Sequence, residues 1–345
     1  MVFNPVLVAS HPAKPEWYKA TAKYAQFNIG IAIRQLLTTL IPYFLLVALM
    51  VYTVQRGFSY WVTLLPAVLA AALFVRIFIF FHDCTHGSFV PSPRWNTRIG
   101  YFCGILTFTA FYDWRRSHAG HHITVGDLDR RGMGDITTFT VEEYLAATPM
   151  KRFYYRLYRN PFIMFCIGPA YYFLLRNRWP SEGANKHDVR SVIITDVAIL
   201  AIAGIAIWIL GFKTYIMVQL PVLLMAAVFG VWLFYIQHQF QGVYWARHKD
   251  WDPWKAALEG ASFYQLPKIL QWLSGNIGYH HVHHARPSIP NYHLQQCYDE
   301  IPELQKVKPI TVPVSLQSIR LNLYDEEQRM MVSFRSLKGH PRLSQ

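Results

Sequence analysis

Apolar and polar positions fall into long blocks along this chain instead of alternating. Four apolar runs stand out, at about 35–54, 60–81, 192–210 and 215–236. Each is close to the ~20 residues needed to cross a ~30 Å hydrocarbon core as a helix. They pair into two hairpins, joined by short turns at 55–59 and 211–214. Two hairpins return the chain to its starting side, so the N-terminus, the central loop and the C-terminal region are expected on one face of a membrane. Fourteen Lys and Arg between Arg94 and Arg190 mark that face as cytosolic. Two shorter apolar stretches in this loop, 99–111 and 161–175, are too short to span and read as interfacial or half-inserted helices. The expected fold is all-α and integral to the membrane, with four transmembrane helices under a cytosolic helical cap. A single domain is expected: an arm over 1–34 with a short interfacial helix near 17–27, a core over about 35–300, and a cytosolic tail over about 301–345. Arg76, the one charge in the second run, is expected to snorkel to the interface.

Composition agrees with the blocks. Hydrophobic residues make up 53% and charged residues 15%, well below the ~25% charge of soluble domains. The net charge of +13 lies outside the runs. It suits anionic headgroups or an acidic protein partner, and the apolar spans argue against nucleic acid. Cys84, Cys103, Cys166 and Cys297 form no C-x-x-C pair, which fits a reduced compartment or burial. The first 30 residues show no signal-peptide pattern.

Histidine supplies the chemistry. Nine of the 15 histidines lie in three clusters: His82 and His86; His118, His121 and His122; and His280, His281, His283 and His284. Residues three and four apart share a helix face, so each cluster is expected to aim two or three imidazoles at one point. His281 points away from that face and is left out. His238, directly after the fourth run, is added as a further ligand. The eight cluster ligands are too many for one ion and suit two, with about four to five ligands each. Imidazole favours iron, zinc, copper or nickel over magnesium or calcium. A structural zinc site normally has four ligands, often cysteines, so a redox pair of iron ions fits better. Asp83, Asp113, Asp127, Asp129 and Asp135 lie close enough in sequence to orient imidazoles or to serve as helix caps. The isolated His11, His187, His248, His293 and His340 read as surface residues. A histidine-rich metal transporter is the competing class. It would need ionisable residues lining a path through the spans, and Arg76 and Asp196 lie near span ends.

The segments His82-Asp83-Cys84-Thr85-His86-Gly87-Ser88-Phe89, His118-Ala119-Gly120-His121-His122, Gln237-His238-Gln239-Phe240, Gly275-Asn276-Ile277-Gly278-Tyr279-His280-His281-Val282-His283-His284 and Pro287-Ser288-Ile289-Pro290-Asn291-Tyr292 resemble the membrane fatty acid desaturases over roughly residues 35–300. The resemblance implies an oxygen-dependent di-iron oxidoreductase that removes two hydrogens from an acyl chain. It carries over His82, His86, His118, His121, His122, His280, His283 and His284 as iron ligands, with His238 as the extra ligand between the second and third boxes. The third box is most similar to acyl-lipid desaturases that act on a monounsaturated chain, the delta-12 (omega-6) type. Omega-3 or delta-9 desaturation, fatty acyl hydroxylation, and carotenoid ketolation or hydroxylation are sibling reactions on the same site. Acyl-CoA desaturases of this type have asparagine one turn before the extra histidine; here Phe234 stands there, which favours a lipid-linked or carrier-linked substrate. The resemblance also implies O2 as co-substrate. No His-Pro-Gly-Gly cytochrome b5 motif is present, so electrons are expected from a separate donor such as ferredoxin or cytochrome b5.

Overall fold

The computed structural model describes residues 13–132 and 134–338; His11, His340 and the start of the N-terminal arm lie outside them. Four helices are long and apolar enough to cross a membrane: α1 (Ile29–Gln55) and α2 (Tyr60–His86), and after the central loop a second pair. That loop carries α3 (Pro93–Leu106) and α4 (Phe111–Thr124). The second pair is α5 (Lys186–Leu210) and α6 (Phe212–His238). Two short helices near the end matter for the site, α7 (His280–Ala285) and α8 (Asn291–Glu300).

Each end of these helices has a local cause. Asn28 caps α1 by accepting from the Ile31 N–H at 3.1 Å. α2 stops at Gly87, whose φ of +70° is the left-handed conformation that ends a helix. Asn185 and Asp188 form a capping box that starts α5. Gly211 alone separates α5 from α6, so that turn is tighter than the four residues expected. Pro42, Pro66 and Pro221 sit inside spans, a position that packed membrane helices tolerate.

α2 is the central element. Ala67, Ala70, Ala71, Phe74, Ile77, Phe80 and Phe81 bury one continuous core with α1, α3, α4 and α6. α1 and α5 leave large apolar side chains outside, including Leu45 at 65%, Leu200 at 71% and Trp208 at 86% exposure. Faces of this kind match a lipid environment, not water. Gly100 and Gly104 let α3 approach closely. A methyl group on Gly104 would lie 2.5 Å from the Thr109 carbonyl oxygen and 2.9 Å from the Phe81 ring.

The cap is helical, with small additions the sequence did not suggest. The 99–111 stretch is no single helix. It ends α3 at Leu106 and starts α4 at Phe111, with Phe108 at φ +57° in the bend. In the 161–175 stretch, a π-turn over Ile163–Ile167 leads into the helix Gly168–Leu174. The Gly168 N–H bonds five residues back, to Ile163, and Pro169 next to it has no N–H to donate. Residues 301–338 pack into the cap. Leu323–Asp325 pairs with Phe139–Thr140 and Met330–Val332, and Pro309–Thr311 pairs with Phe263–Gln265. Arg76 does not snorkel. It is 2% exposed, donates from Nε to Thr39 Oγ1 at 3.1 Å and lies 4.1 Å from the Trp272 ring.

The close approach at Gly104 gives a test of the packing. Gly104→Ala should lower stability by about 1–3 kcal/mol through overpacking. Gly204→Ala should be neutral or slightly stabilising, because nothing lies within 4 Å of a methyl group there. Thermal unfolding of both variants in detergent checks this; equal midpoints would refute the tight contact.

Candidate metal centre

Four elements carry histidines to one place at the cap-side ends of the spans. α2 brings His82 and His86 on its last turn, α4 brings His118, His121 and His122, α6 ends on His238, and α7 brings His280, His283 and His284. The nine fall into two sets. His82, His86, His118, His122 and His283 form the first; His121, His238, His280 and His284 form the second. Within each set the ligand atoms lie within 4.8 Å of one another. The sets abut, with the rings of His122 and His284 stacked at 4.2 Å.

The expectation that each cluster aims at one point is corrected by this division. On a helix, position i+4 is turned about 40° from i, while i+3 lies about 60° to the other side. α4 therefore sends His118 and His122 to the first set and His121 to the second. α7 does the reverse, with His280 and His284 in the second set and His283 in the first. His82 and His86 complete the first set and His238 completes the second. His281 lies outside both sets, as expected, and donates from Nε2 to the Leu304 carbonyl at 3.1 Å. His187 and His248 are exposed and His293 is half-buried, all apart from the centre.

The hydrogen bonds fix which nitrogen is free. Nδ1 of His82 faces Asp83 Oδ1 at 3.1 Å, Nδ1 of His121 faces Asp135 Oδ1 at 2.5 Å, and Nδ1 of His238 faces the Gly260 carbonyl at 3.0 Å. Each of these acceptors holds the proton on Nδ1 and leaves Nε2 as a lone pair. Yet Nε2 of His121 and Nε2 of His238 are 3.1 Å apart. Two acceptors that close repel unless a cation lies between them. Nε2 of His82 and of His86 are likewise buried with no hydrogen-bond partner. The donor set is all imidazole and suits a borderline transition metal.

Burial disfavours charge on the site histidines outside the spans. The imidazoles of His118, His122, His280, His283 and His284 are held well below their ordinary pKa, first by burial and then by the neighbouring histidines. His281 is pushed down to about 4, again by burial. Neutral imidazole is the form that binds metal. Burial works to raise the Asp135 carboxyl, but attraction to His121 and the hydrogen bond with it prevail and leave it below its ordinary value.

Of the five aspartates considered from sequence, Asp83 and Asp135 meet site histidines. Asp113 accepts from Ser181, Asp127 pairs with Arg130 and His248, and Asp129 pairs with Arg247. Sequence reasoning missed the support behind Asp83. Its Oδ2 accepts from the backbone N–H of Asn291 at 2.7 Å and from the Asn291 side chain at 2.9 Å. Asn291 in turn accepts from Gln35 Nε2 at 2.9 Å. A wholly buried asparagine at the start of α8 thus ties α1, α2 and α8 to His82; its place in Pro290-Asn291-Tyr292 was the available signal. Trp114 was also missed. It lies one turn before His118 and stacks on that ring at 4.2 Å. Phe234 touches the rings of His121 and His238 at 5.5 and 5.4 Å.

A multispan helical membrane protein with a paired, all-histidine candidate metal centre is the class these features define. The fatty acid desaturase family model matches residues 59–312. A fatty acid desaturase of Bacillus subtilis (strain 168) is 45% identical over 323 residues, covering 94% of this chain and 91% of that one. An sn-1 oleoyl-lipid 12-desaturase of Synechocystis is 26% identical over 66% of this chain and 64% of its own length. An sn-1 acyl-lipid omega-3 desaturase (ferredoxin) of Nostoc is 26% identical over 68% of this chain and 66% of its own. The chain belongs to the fatty acid desaturase family, and it is an oxidoreductase of the membrane.

Two outcomes test this description of the site. Asn291→Ala removes one of the two hydrogen bonds on Asp83 Oδ2 and should weaken metal binding about 10- to 100-fold; competitive titration with Fe2+ under anaerobic conditions measures it, and unchanged affinity would refute the link. The second concerns pH. The unfolded chain binds protons on these histidines below about pH 6.5, while the folded chain with lowered pKa values does not. Stability of the metal-free protein should therefore be flat above about pH 7 and fall as the pH drops below 6.5, seen as a falling unfolding midpoint between pH 7.5 and 5.5. A midpoint that rose with acidification would contradict neutral burial.

Proposed function

We propose that the nine histidines hold two iron ions, five ligands on one and four on the other, and that the chain desaturates an acyl lipid with O2. The carrying observation is the pair His121 and His238: both Nε2 lone pairs face each other at 3.1 Å while both Nδ1 protons are already donated. A cation held between them removes that conflict. Bound iron would supply reductive activation of O2 to an oxidant strong enough for an unactivated C–H bond. The overall balance is one –CH2–CH2– unit, one O2, two electrons and two protons giving one –CH=CH– unit and two waters.

The protein's own residues do the rest. Asp83, Asp135 and the Gly260 carbonyl orient three imidazoles through their Nδ1 protons. Trp114 and Phe234 place apolar ring surface against the histidines, which excludes water and favours a hydrocarbon substrate. The centre lies at the cap-side ends of α2 and α6, where an acyl chain reaches it from the bilayer. We assign that side to the cytosol, where a soluble donor meets the basic cap. The ferredoxin in the names of the Nostoc and Arabidopsis relatives supports a small acidic iron–sulfur donor; cytochrome b5 is the other form the donor takes.

The delta-12 position rests on the third box and on the 12-desaturase relative. The relatives whose names carry a position divide between 12 and omega-3, and the 45% identical relative carries none. A transporter finds no support in the spans. Asp196, about three turns into α5, is paired with Arg178, and Arg76 is packed on Trp272.

Expression in a host rich in monounsaturated lipid, beside His284→Ala, tests the reading. New double bonds, located by derivatisation and mass spectrometry, should appear only with the intact protein. A loss of activity of at least about 10³-fold is expected for the variant, since removing a ligand abolishes assembly of the oxidant. Product from the variant would overturn the ligand assignment. A hydroxylated product, or none with a donor system supplied, would overturn desaturation.

A further inference from the structure

Arg76 is a buried cation that the metal centre does not use. It is 2% exposed, and none of the ion pairs found among the described residues includes it. Its Nε donates to Thr39 Oγ1 at 3.1 Å; its two terminal nitrogens meet no acceptor among the described residues. Trp272, at 4.1 Å, and Phe80, at 5.4 Å, flank the guanidinium. An intramembrane cation held this way is costly unless an anion accompanies it.

Its depth says which anion. α2 has 27 residues, about 40 Å at 1.5 Å per residue, against a hydrocarbon core of ~30 Å. Counted from Tyr60, about 20 residues cross that core, which brings Arg76 within roughly a turn of the cap-side boundary. The helix Lys268–Leu273 confirms the level. Ile269, Leu270 and Trp272 are exposed on it at 74%, 45% and 42%, an apolar surface with an indole at the place where tryptophan marks the membrane interface. Lipid phosphates lie just outside that boundary, about a turn beyond Arg76, and guanidinium binds phosphate through two parallel N–H donors.

We propose that Arg76, oriented by Thr39 and stacked on Trp272, binds the phosphodiester of a phospholipid and seats the headgroup of the acyl substrate beside the centre. This deepens the acyl-lipid reading above and rests on it for the word substrate, but not for the binding itself. No covalent step is involved.

The test uses the purified full-length protein in an uncharged maltoside detergent, with a fluorescent phosphatidylglycerol as probe. Unlabelled dioleoyl phosphatidylglycerol should compete about tenfold or more better than dioleoylglycerol, which has the same chains without the phosphate. R76Q should erase that preference and R76K should keep part of it. Three results overturn the proposal: equal competition by the two lipids, an unchanged preference in R76Q, or displacement by millimolar inorganic phosphate alone, which would mark a free-anion site. Should R76Q fail to fold, Thr39→Val keeps the charge but frees the guanidinium, and an undiminished preference there is equally fatal. Binding is read without turnover. Headgroup preference with no new double bond in cells supplied with a donor system therefore sinks the desaturation reading and leaves this one, and new double bonds without headgroup preference do the opposite.

Discussion

Everything in this molecule answers to one electrostatic constraint: imidazole lone pairs must face each other in a dry place without taking up protons. Left in water, such a cluster would protonate and spread. Two arrangements prevent it. Burial removes the solvation that imidazolium would need, and acceptors at Asp83, Asp135 and Gly260 hold the protons on the far nitrogens. The convergent lone pairs that remain are an unmet demand for positive charge, which bound metal ions could meet. The architecture follows. Spans deliver α2 and α6 to one level, and the cap closes over them with α4 and α7.

The even number of spans is part of the same constraint. His82 and His86 close one hairpin's returning arm, and His238 closes the other's start of the cap. With one span fewer, the third histidine cluster would lie across the membrane from the first. Turns as short as Gly211 leave no slack for any other arrangement. Block hydropathy thus carries functional information, because it counts crossings and so decides which residues can meet.

Much of this was legible in the chain. The span count, the shared side, the gathering of nine histidines and the exclusion of His281 from them follow from hydropathy blocks and a 3.6-residue period. The division of each His-x-x-His-His segment between two sets was legible in principle, since i+3 and i+4 fall on opposite sides of i, but needed the neighbours to show which side faced which set. Asp135 and Asn291 were not separable from other polar residues, because their partners are far away in sequence and only the fold brings them in. Arg76 misled for a related reason. Snorkelling is a rule for an isolated helix, and α1 together with the Lys268–Leu273 helix covers this side chain before it reaches water.

The position of a new double bond is a matter of measured distance, because methylenes carry no polar handle. Such a ruler needs a zero mark. Arg76 and His82 lie on one rigid helix, six residues apart and so about 9 Å along its axis. With the headgroup held at Arg76, the zero mark is at the carboxyl end of the acyl chain and the count runs from there, as delta-type selectivity requires. An omega count needs the opposite: a closed end that stops the methyl terminus, with the headgroup free. If the headgroup sits at Arg76 as proposed, a fixed cation on the helix that bears His82 and His86 argues for counting from the carboxyl end, whichever carbon the count reaches.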